Sequence, residues 1–148
     1  MAEKVKLSYK KLREHAKVPC YQTPYAAGAD LYSCMEETIE IAPGATAFVP
    51  TGIAMQIPDG YVGLIYARSG LACKQGLAPA NKVGVIDSDY RGEIMVALYN
   101  HSAEKKTIAD GERIAQMVIT PYVMADYEEV DVLEDTTRGA GGFGSTGV

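Results

Sequence analysis

Residues 84–93 combine side chains that could carry out hydrolytic chemistry. Asp87 ends an apolar run, and a second carboxylate, an aromatic residue and an arginine follow within four positions. A carboxylate beside apolar neighbours is partly desolvated, which raises its proton affinity and suits a general base. Tyr90 lies across the turn and could stack flat against a ring. The same residues are also typical of an ordinary Asp-rich turn with one exposed aromatic side chain.

The glycine-rich end, residues 138–148, could bind phosphate groups. It nearly matches the P-loop pattern, but Ser145 stands where the lysine belongs and no helix can follow, so a P-loop NTPase fold is rejected. Glycine N–H groups and the Ser145 and Thr146 hydroxyls can still converge on phosphate oxygens, with Arg138 as a bidentate partner. Phe143 is the one large apolar residue there and could contact a nucleobase. The alternative is a mobile terminus without a ligand.

Other polar residues have both a plain and a functional interpretation. Ser69 is predicted to cap the N-terminus of a short helix, and Arg68 precedes it. This helix start could bind an anion, or it could be an ordinary N-cap with a surface arginine. Asp30 and Gln116 each lie in an otherwise apolar strand. They could be edge-strand residues whose polar groups are hydrogen-bonded, or they could face a cleft and hold Mg²⁺ or its waters. Asn81 offers a donor and an acceptor, which suits a pyrimidine edge but also a turn.

Short alternating segments predict the strands that position these residues. The predicted strands cover residues 5–9, 29–33, 38–41, 47–49, 53–57, 62–66, 83–86, 94–99, 107–108 and 114–120, and the one predicted helix covers 71–75. Val130 and Val132 also alternate with polar residues near the end of the chain. The strands before and after Asp87 are predicted to form a β-hairpin. Many short strands at roughly ten-residue spacing indicate an all-β sandwich, barrel or jelly roll with one short helix near 70–75.

Composition restricts the class of protein. The chain has 148 residues, enough for one domain, and 47% of them are hydrophobic, so a core can form. The net charge of −5 argues against binding polymeric nucleic acid, whereas a small phosphate ligand needs only a few local cations. No apolar stretch approaches a membrane span, and the first residues resemble neither a signal nor a transit peptide.

Cysteine and histidine are few and widely spaced. Cys20, Cys34 and Cys73 form no CxxC pair, so their spacing suggests neither a disulfide framework nor a zinc site, and a reducing, cytoplasmic compartment fits best. His15 and His101 are the only histidines, and each is expected at the surface rather than as a ligand. The sequence therefore does not favour nucleophilic catalysis that depends on histidine.

Five stretches together resemble the trimeric dUTP pyrophosphatase (dUTPase) family, in that family's order. They are residues 27–33 (AGADLYS), 68–72 (RSGLA), 84–93 (GVIDSDYRGE), 111–116 (GERIAQ) and 138–147 (RGAGGFGSTG). The third and fifth stretches are specific to this family. The five stretches together span most of the chain. Ala67 is a departure, because many members carry proline there, which bears on the rigidity of the loop.

The resemblance implies hydrolysis of dUTP to dUMP and pyrophosphate with Mg²⁺. The residue matching Asp87 activates the water that attacks the α-phosphorus. Tyr90 is implied to pack under the deoxyribose and exclude a 2′-hydroxyl, and Asp30 to orient metal-bound water. The implied substrate-binding residues are Arg68, Ser69, Gly70, Asn81, Gly84, Val85, Ile86, Tyr90, Met95, Gln116, Arg138, Phe143, Gly144, Ser145 and Thr146.

The roles implied for these residues fall into three groups. Uracil is read by Asn81 and the backbone of residues 84–87, with Met95 in the same pocket. The phosphates are held by Arg68, Ser69, Gly70 and Gln116. In the tail, Arg138 clamps the γ-phosphate, Phe143 covers uracil, and Gly144, Ser145 and Thr146 surround the phosphates.

The resemblance also implies the architecture. It predicts a distorted jelly-roll, β-clip-like barrel that assembles as a homotrimer, with each site drawing on three subunits. Residues 1–137 are expected to form a single all-β domain, and residues 138–148 a mobile lid.

Two other functions remain open from the sequence. A dCTP deaminase has a related fold, but the intact tail speaks against it. A protein that senses dUTP, or that regulates another protein through the trimer surface, belongs to a different class. Asp87 and the tail, both present, favour catalysis over binding alone.

Overall fold

The computed structural model describes residues 4–143, which form ten strands and one short helix. The strands are β1 (Ser8–Lys11), β2 (Ala29–Tyr32), β3 (Ile39–Ile41), β4 (Thr46–Gln56), β5 (Tyr61–Tyr66), β6 (Leu77–Pro79), β7 (Gly84–Ile86), β8 (Glu93–Asn100), β9 (Lys106–Ile108) and β10 (Arg113–Pro121), and the helix α1 (Ser69–Gln75) follows β5. The prediction of an all-β fold with one helix near 70–75 is confirmed. No helix within residues 4–143 is long and apolar enough to span a membrane.

The strands form two four-stranded sheets and a separate pair. The first sheet has the order β1-β4-β8-β6, the second has the order β2-β10-β5-β7, and β3 pairs with β9. All of these pairs are antiparallel. One apolar core joins both sheets, because Val49, Val96 and Leu98 of the first sheet belong to the same buried cluster as Leu31 and Ile114 of the second.

The alternation along β8 shows how the sequence builds this core. Ile94, Val96 and Leu98 are buried, whereas the residues between them are more exposed. Burying each of these side chains contributes about 1.5–3 kcal/mol, so the inward face of β8 holds the strand in place. The outward face carries Met95, which is 40% exposed and therefore available to a ligand.

The structure has one long strand where the sequence predicts two. β4 runs through Pro50 as a single 11-residue strand. Its pairing with β8 shifts register between Pro50 and Ala54. Gly52 in this bulge has a φ of +68°, and a Cβ there would lie 2.7 Å from the Cys34 Sγ. The proline therefore marks an irregularity within a strand rather than its end.

The predicted β-hairpin around Asp87 is wrong. β7 pairs with β5 in the second sheet, whereas β8 pairs with β4 and β6 in the first. Residues 87–92 therefore cross from one sheet to the other. The short strand β6, which the sequence did not predict, takes the place beside β8 that a hairpin partner would occupy.

Two further differences lie at the helix and near the end of the chain. Arg68 is the N-cap of α1 and makes no side-chain capping hydrogen bond, so Ser69 is the first helical residue and not the predicted cap. Gly76 ends the helix with a φ of 71°, a left-handed conformation that glycine adopts readily. Val130 and Val132, which alternate in the sequence, belong to no strand of the described chain.

Candidate active site

A shallow cavity of about 190 Å³ surrounds Asp87 at the end of β7. It is lined by Val85, Ile86, Asp87, Tyr90, Glu93 and Met95. Five of these six residues are predicted site residues, and the crossing between sheets brings them together because it carries the chain from β7 to β8. Small-molecule sites usually enclose roughly 300–1,000 Å³, so this cavity alone is too small for a nucleoside triphosphate.

Tyr90 is folded back over the turn that follows Asp87. Its hydroxyl donates to the Glu93 carbonyl oxygen at 2.9 Å, and its N–H donates to the Asp87 carbonyl oxygen at 3.2 Å. The ring lies so close to Gly92 that a Cβ there would be 2.4 Å from the Tyr90 Oη. Glycine at position 92 is therefore required for this placement of the ring.

Asp87 is exposed in the single chain. The expected desolvation by its apolar neighbours is therefore absent, and that expectation is wrong for the isolated chain. The strand Gly84–Ile86 positions the carboxylate at a sheet edge, where solvent reaches it freely. A bound ligand or a second chain has to cover Asp87 before its carboxylate is desolvated.

Glu93 is a cavity residue whose role sequence reasoning missed. Its carboxylate accepts two hydrogen bonds from the Arg13 guanidinium and one from the Gly52 N–H at 2.7 Å. Burial opposes ionisation of Glu93, but these donors outweigh it and hold the pKa of the carboxyl below its ordinary value. The bond to Glu93 also raises the pKa of Arg13. Arg13 lies 80 residues away in sequence, so no local pattern could have paired them.

Asn81 and Gly84 lie together beside the start of β7. The Asn81 Nδ2 is 3.6 Å from where a Gly84 Cβ would be, and Asn81 accepts a backbone bond of 2.7 Å from the Val83 N–H. Asn81 is exposed, whereas Gly84 is buried against Ile65. The amide that was predicted to read a pyrimidine edge is thus accessible, although it does not line the Asp87 cavity.

A second group of predicted residues meets around the buried carboxylate of Asp30. Arg68 donates from Nε to the Asp30 Oδ1 at 2.8 Å, and Arg113 donates from Nη1 to Oδ2 at 3.3 Å. Gln116 is the β10 residue paired with Asp30, and its Nε2 donates to the Ala67 carbonyl oxygen at 2.9 Å. The structure therefore brings Asp30, Arg68 and Gln116 to one place, with Arg113 as an added cation.

The start of α1 is open beside this group. Ser69 and Gly70 are exposed, and a Cβ at Gly70 would meet nothing within 4 Å. The first N–H groups of a helix have no partners within the helix, so they are available to an anion. Arg68, Ser69 and Gly70 are accessible together with the Arg113 side chain, which gives this surface two cations.

The Asp87 cavity and the Arg68 group lie at opposite ends of the β5-β7 pair. The strands are antiparallel, and Gly63 of β5 is paired with Ile86, next to Asp87, whereas Arg68 follows the far end of β5. Because strand residues advance about 3.3 Å each, the two ends are more than about 10 Å apart. Neither Arg68 nor Gln116 lines the Asp87 cavity.

The described part of the tail forms a local turn. Arg138 donates from Nε to the Gly141 carbonyl oxygen at 2.8 Å, and the Gly141 N–H returns a bond of 3.1 Å to the Arg138 carbonyl oxygen. Phe143 is fully exposed. Neither residue lines the Asp87 cavity of its own chain. The predicted residues Gly144, Ser145 and Thr146 lie outside the described residues.

The segment before the tail exposes an unusual amount of apolar surface. Residues 122–135 form no strand, and all of them are exposed. The large apolar members are Tyr122, Val123, Met124, Tyr127, Val130, Val132 and Leu133. Exposed apolar patches are typical of surfaces that contact another protein, a membrane or a ligand.

Among residues 4–143, no cluster of three potential metal ligands lies at the Asp87 cavity; the one such cluster is His15, Cys34 and Asp110. Each Asp30 oxygen accepts a bond from an arginine, but a carboxylate has about four acceptor positions, so its hydrogen-bonding capacity is not exhausted. Mg²⁺ commonly keeps several waters and binds mainly to substrate phosphates. The residues thus fit Mg²⁺ only through water and substrate.

A larger cavity of about 310 Å³ lies elsewhere, lined by Ala80, Lys82, Tyr99 and His101. It contains no carboxylate that could act as a base. The side chains therefore favour the smaller cavity, around Asp87, as the active site.

The chain is similar to known proteins over nearly its whole length. The sequence profile of the dUTPase family matches residues 14–147. The deoxyuridine 5′-triphosphate nucleotidohydrolase of Desulfitobacterium hafniense is 51% identical over 146 residues, covering 98% of this chain and 97% of its own. That of Nautilia profundicola is 54% identical over 143 residues, covering 97% and 99%.

Solved structures show the same likeness. A mutant dUTPase of Staphylococcus bacteriophage 80alpha with dUpNHpp superposes with a TM-score of 0.88 at 30% identity, covering 97% of this chain and 99% of that one. A mutant dUTPase of phage phi11 of S. aureus, described with a structural Mg(II) ion, has a TM-score of 0.79 at 27% identity, covering 88% and 100%. The chain belongs to the dUTPase family.

Proposed function

We propose that this protein hydrolyses dUTP to dUMP and pyrophosphate. The observation that carries the proposal is the meeting of Asp87, Tyr90 and Met95 around one cavity in a chain of the dUTPase family. The relatives from D. hafniense and N. profundicola are named for this substrate, and the bacteriophage 80alpha relative is described with dUpNHpp.

Asp87 acts as the general base. It takes a proton from water as the water oxygen forms a bond to the α-phosphorus and the bond from that phosphorus to the bridging oxygen breaks. Pyrophosphate leaves with the bonding electrons. The exposed carboxylate at the end of β7 has space for a water beside it, and covering by substrate desolvates it.

The remaining residues position the substrate. The Tyr90 ring packs under the deoxyribose, and Asn81 with the backbone of residues 84–87 reads uracil beside Met95. Arg68, Ser69, Gly70 and Gln116 hold the phosphates. In the tail, Arg138 clamps the γ-phosphate, Gly144, Ser145 and Thr146 surround the phosphates, and Phe143 covers uracil. These roles follow the family pattern and agree with the accessibility of Asn81, Arg68 and the helix start.

When bound with the triphosphate, Mg²⁺ would supply positive charge that favours departure of pyrophosphate. The phosphates and waters would hold the ion, with Asp30 reaching it only through water. Within the chain, the task of Asp30 is to orient Arg68, since their bond is direct and buried.

We further propose that the active form is a homotrimer of distorted jelly-roll, β-clip-like subunits with shared sites. Three features support this: the small cavity, the separation of Asp87 from Arg68, and the exposed apolar segment 122–135. A neighbour's Arg68 group and a second neighbour's tail would complete the cavity around each Asp87. The same packing would bury the exposed apolar side chains.

The test is pyrophosphate release from dUTP, with dCTP as the control and with the mass in solution measured in parallel. We expect a trimer that releases pyrophosphate from dUTP and not from dCTP. Ammonia release from dCTP would identify a deaminase, and tight dUTP binding without turnover would identify a sensor. A fully active monomer would contradict the shared site but not the reaction.

A further inference from the structure

Three ligand-type side chains from distant parts of the chain meet at a place outside the Asp87 cavity. His15 follows β1, Cys34 follows β2, and Asp110 lies in the turn between β9 and β10. Their donor atoms all lie within 4.8 Å of one another. The His15 Nε2 is 3.6 Å from the Asp110 Oδ1.

The backbone around two of these residues is locked in place. The Ser33 Oγ donates to the Ala109 carbonyl oxygen at 2.7 Å and accepts from the Glu112 N–H at 2.9 Å. The Met35 N–H donates to the Asp110 Oδ1 at 2.9 Å. The loops that carry Cys34 and Asp110 are therefore tied together on both sides of the thiol.

The thiol sits at the bottom of the cluster and the other two ligands face solvent. Cys34 is completely buried, with its Sγ packed over Gly52, where a Cβ would come within 2.7 Å. His15 and Asp110 are both exposed, with side chains 40% and 48% accessible. Because His15 and Asp110 are the accessible members of the cluster, an ion has to approach the sulfur from their side.

We propose that His15, Cys34 and Asp110 bind a thiophilic divalent cation, with Zn²⁺ as the ion that this donor set suits best. Zinc takes sulfur, nitrogen and oxygen ligands in tetrahedral geometry, and its bond lengths place ligand atoms about 3.3–3.8 Å from one another. The His15 to Asp110 distance already falls in this range. The widest separation between two of the three donor atoms, which is up to 4.8 Å, has to contract by about 1 Å when the ion binds.

Charge and softness of the ligands agree with this ion. A thiolate, a carboxylate and a neutral imidazole together balance a charge of +2. Burial raises the pKa of the Cys34 thiol and the nearby Arg13 partly offsets this, so the metal has to displace the thiol proton on binding. A thiolate ligand disfavours Mg²⁺, which separates this site from the magnesium that accompanies the substrate.

Three protein ligands leave a fourth position for water or another donor. The ion ties the connections that follow β1 and β2 to the β9-β10 turn, so its binding stabilises the folded chain. Spacing in the sequence gives no sign of this site, because its ligands are 19 and 76 residues apart. Only the fold brings them together.

The test uses Co²⁺ as a spectroscopic probe in the full chain with Cys20→Ser and Cys73→Ser. Those two exposed thiols would otherwise bind metal nonspecifically. We expect one equivalent of Co²⁺ to produce a thiolate-to-cobalt charge-transfer band, and Zn²⁺ to displace it. Zn²⁺ is also expected to raise the melting temperature of this variant.

The matched variants are His15→Gln and His101→Gln, which change the two histidines of the chain, both exposed. His15→Gln should weaken metal binding at least 10-fold, and His101→Gln should leave it unchanged. Asp110→Asn should weaken binding while the circular dichroism spectrum stays native. The proposal is overturned if the double-serine variant gives no charge-transfer band, or if His15→Gln binds the probe as tightly as His101→Gln.

Discussion

Arg68 donates from its Nε to the Oδ1 of Asp30 at 2.8 Å, although 38 residues separate the two in sequence. Asp30 is 6% exposed, and its second oxygen accepts from Arg113 at 3.3 Å. A buried carboxylate between two arginines fixes where their guanidinium groups lie. The position of the Arg68 guanidinium is thus set by β2, the strand at the far edge of the second sheet.

Asp30→Asn should separate this positioning role from a general effect on folding. The amide keeps the shape but leaves two arginines without their counter-ion, so the free energy of unfolding should fall by about 2–4 kcal/mol. The KM for dUTP should rise more than kcat falls, because Arg68 is no longer held. Urea denaturation and steady-state kinetics measure the two effects.

Glu40→Gln is the matched control, because Glu40 forms an exposed ion pair with Lys105. It should change the free energy of unfolding by no more than about 0.5 kcal/mol, the usual range for surface pairs. Equal stability losses in the two variants would contradict the role of Asp30 as a buried anchor.

Some strand positions could be predicted from the sequence because burial alternates along strands such as β8. Ile94, Val96 and Leu98 illustrate this, and the pattern predicts β8 to within a residue at either end. Strand partners could not be predicted, because propensity identifies strands and turns but not which strands pair. The false hairpin around Asp87 follows from this gap. Pro50 misled for a related reason, since a proline at a bulge resembles a strand end.

Some residues of the candidate site could be predicted from the sequence and others could not. Asp87, Tyr90 and Met95 could be named because one short stretch carries the chemistry and the family resemblance. Arg13 and Arg113 could not be named, because their contacts with Glu93 and Asp30 span 80 and 83 residues and leave no local pattern. Long-range ion pairs of this kind become visible only in the folded chain.

Asp87→Asn should retain substrate binding and lose turnover. The amide preserves the shape of the side chain but cannot take the proton from water, so kcat should fall about 10²–10⁴-fold. Binding of a non-hydrolysable dUTP analogue and pyrophosphate release measure the two properties. Asp89→Asn, on the same exposed turn, is the control and should keep wild-type kcat. Near-normal turnover by Asp87→Asn would remove it from the mechanism.

Gly92→Ala should weaken discrimination against UTP. The added Cβ would lie 2.4 Å from the Tyr90 Oη, so the ring has to move away from Gly92 and from the position proposed for it under the deoxyribose. The ratio of kcat/KM for dUTP to that for UTP should fall about 10-fold or more. Tyr90→Phe keeps the ring and should change the ratio little. An unchanged ratio in Gly92→Ala would argue against the stacking role of Tyr90.

The ion pair between Glu93 and Arg13 should make stability depend on pH in acid. The pKa of Glu93 is lowered in the folded chain, so its contribution is present above the unfolded pKa of about 4.3 and is lost as pH falls through the lower folded value. At neutral pH, Glu93→Gln should cost about 1–3 kcal/mol. The difference from wild type should shrink in urea titrations between about pH 6 and pH 3. A difference that stays constant would contradict the assignment.

The tail should act on a neighbouring subunit. None of the described residues after Asp135 is buried, so deleting everything beyond Asp135 should leave a folded trimer. The deletion removes Arg138 and Phe143 and should abolish most activity. Circular dichroism and mass in solution verify folding and assembly, and pyrophosphate release measures the loss.

Complementation then tests which subunit supplies the tail. One chain carries Asp87→Asn with an intact tail, and the other keeps Asp87 but ends at Asp135; each homotrimer should be nearly inactive. After co-refolding at equal ratio, a site works when its base comes from the truncated chain and its lid from the other. With independent draws for the two roles, about a quarter of the sites in a cyclic oligomer meet this condition. A tail that folded over its own Asp87 could never complete a site in such mixtures, because each chain lacks one of the two parts. Activity that stays at the level of the separate variants, in trimers shown by mass to be mixed, would therefore exclude the shared site.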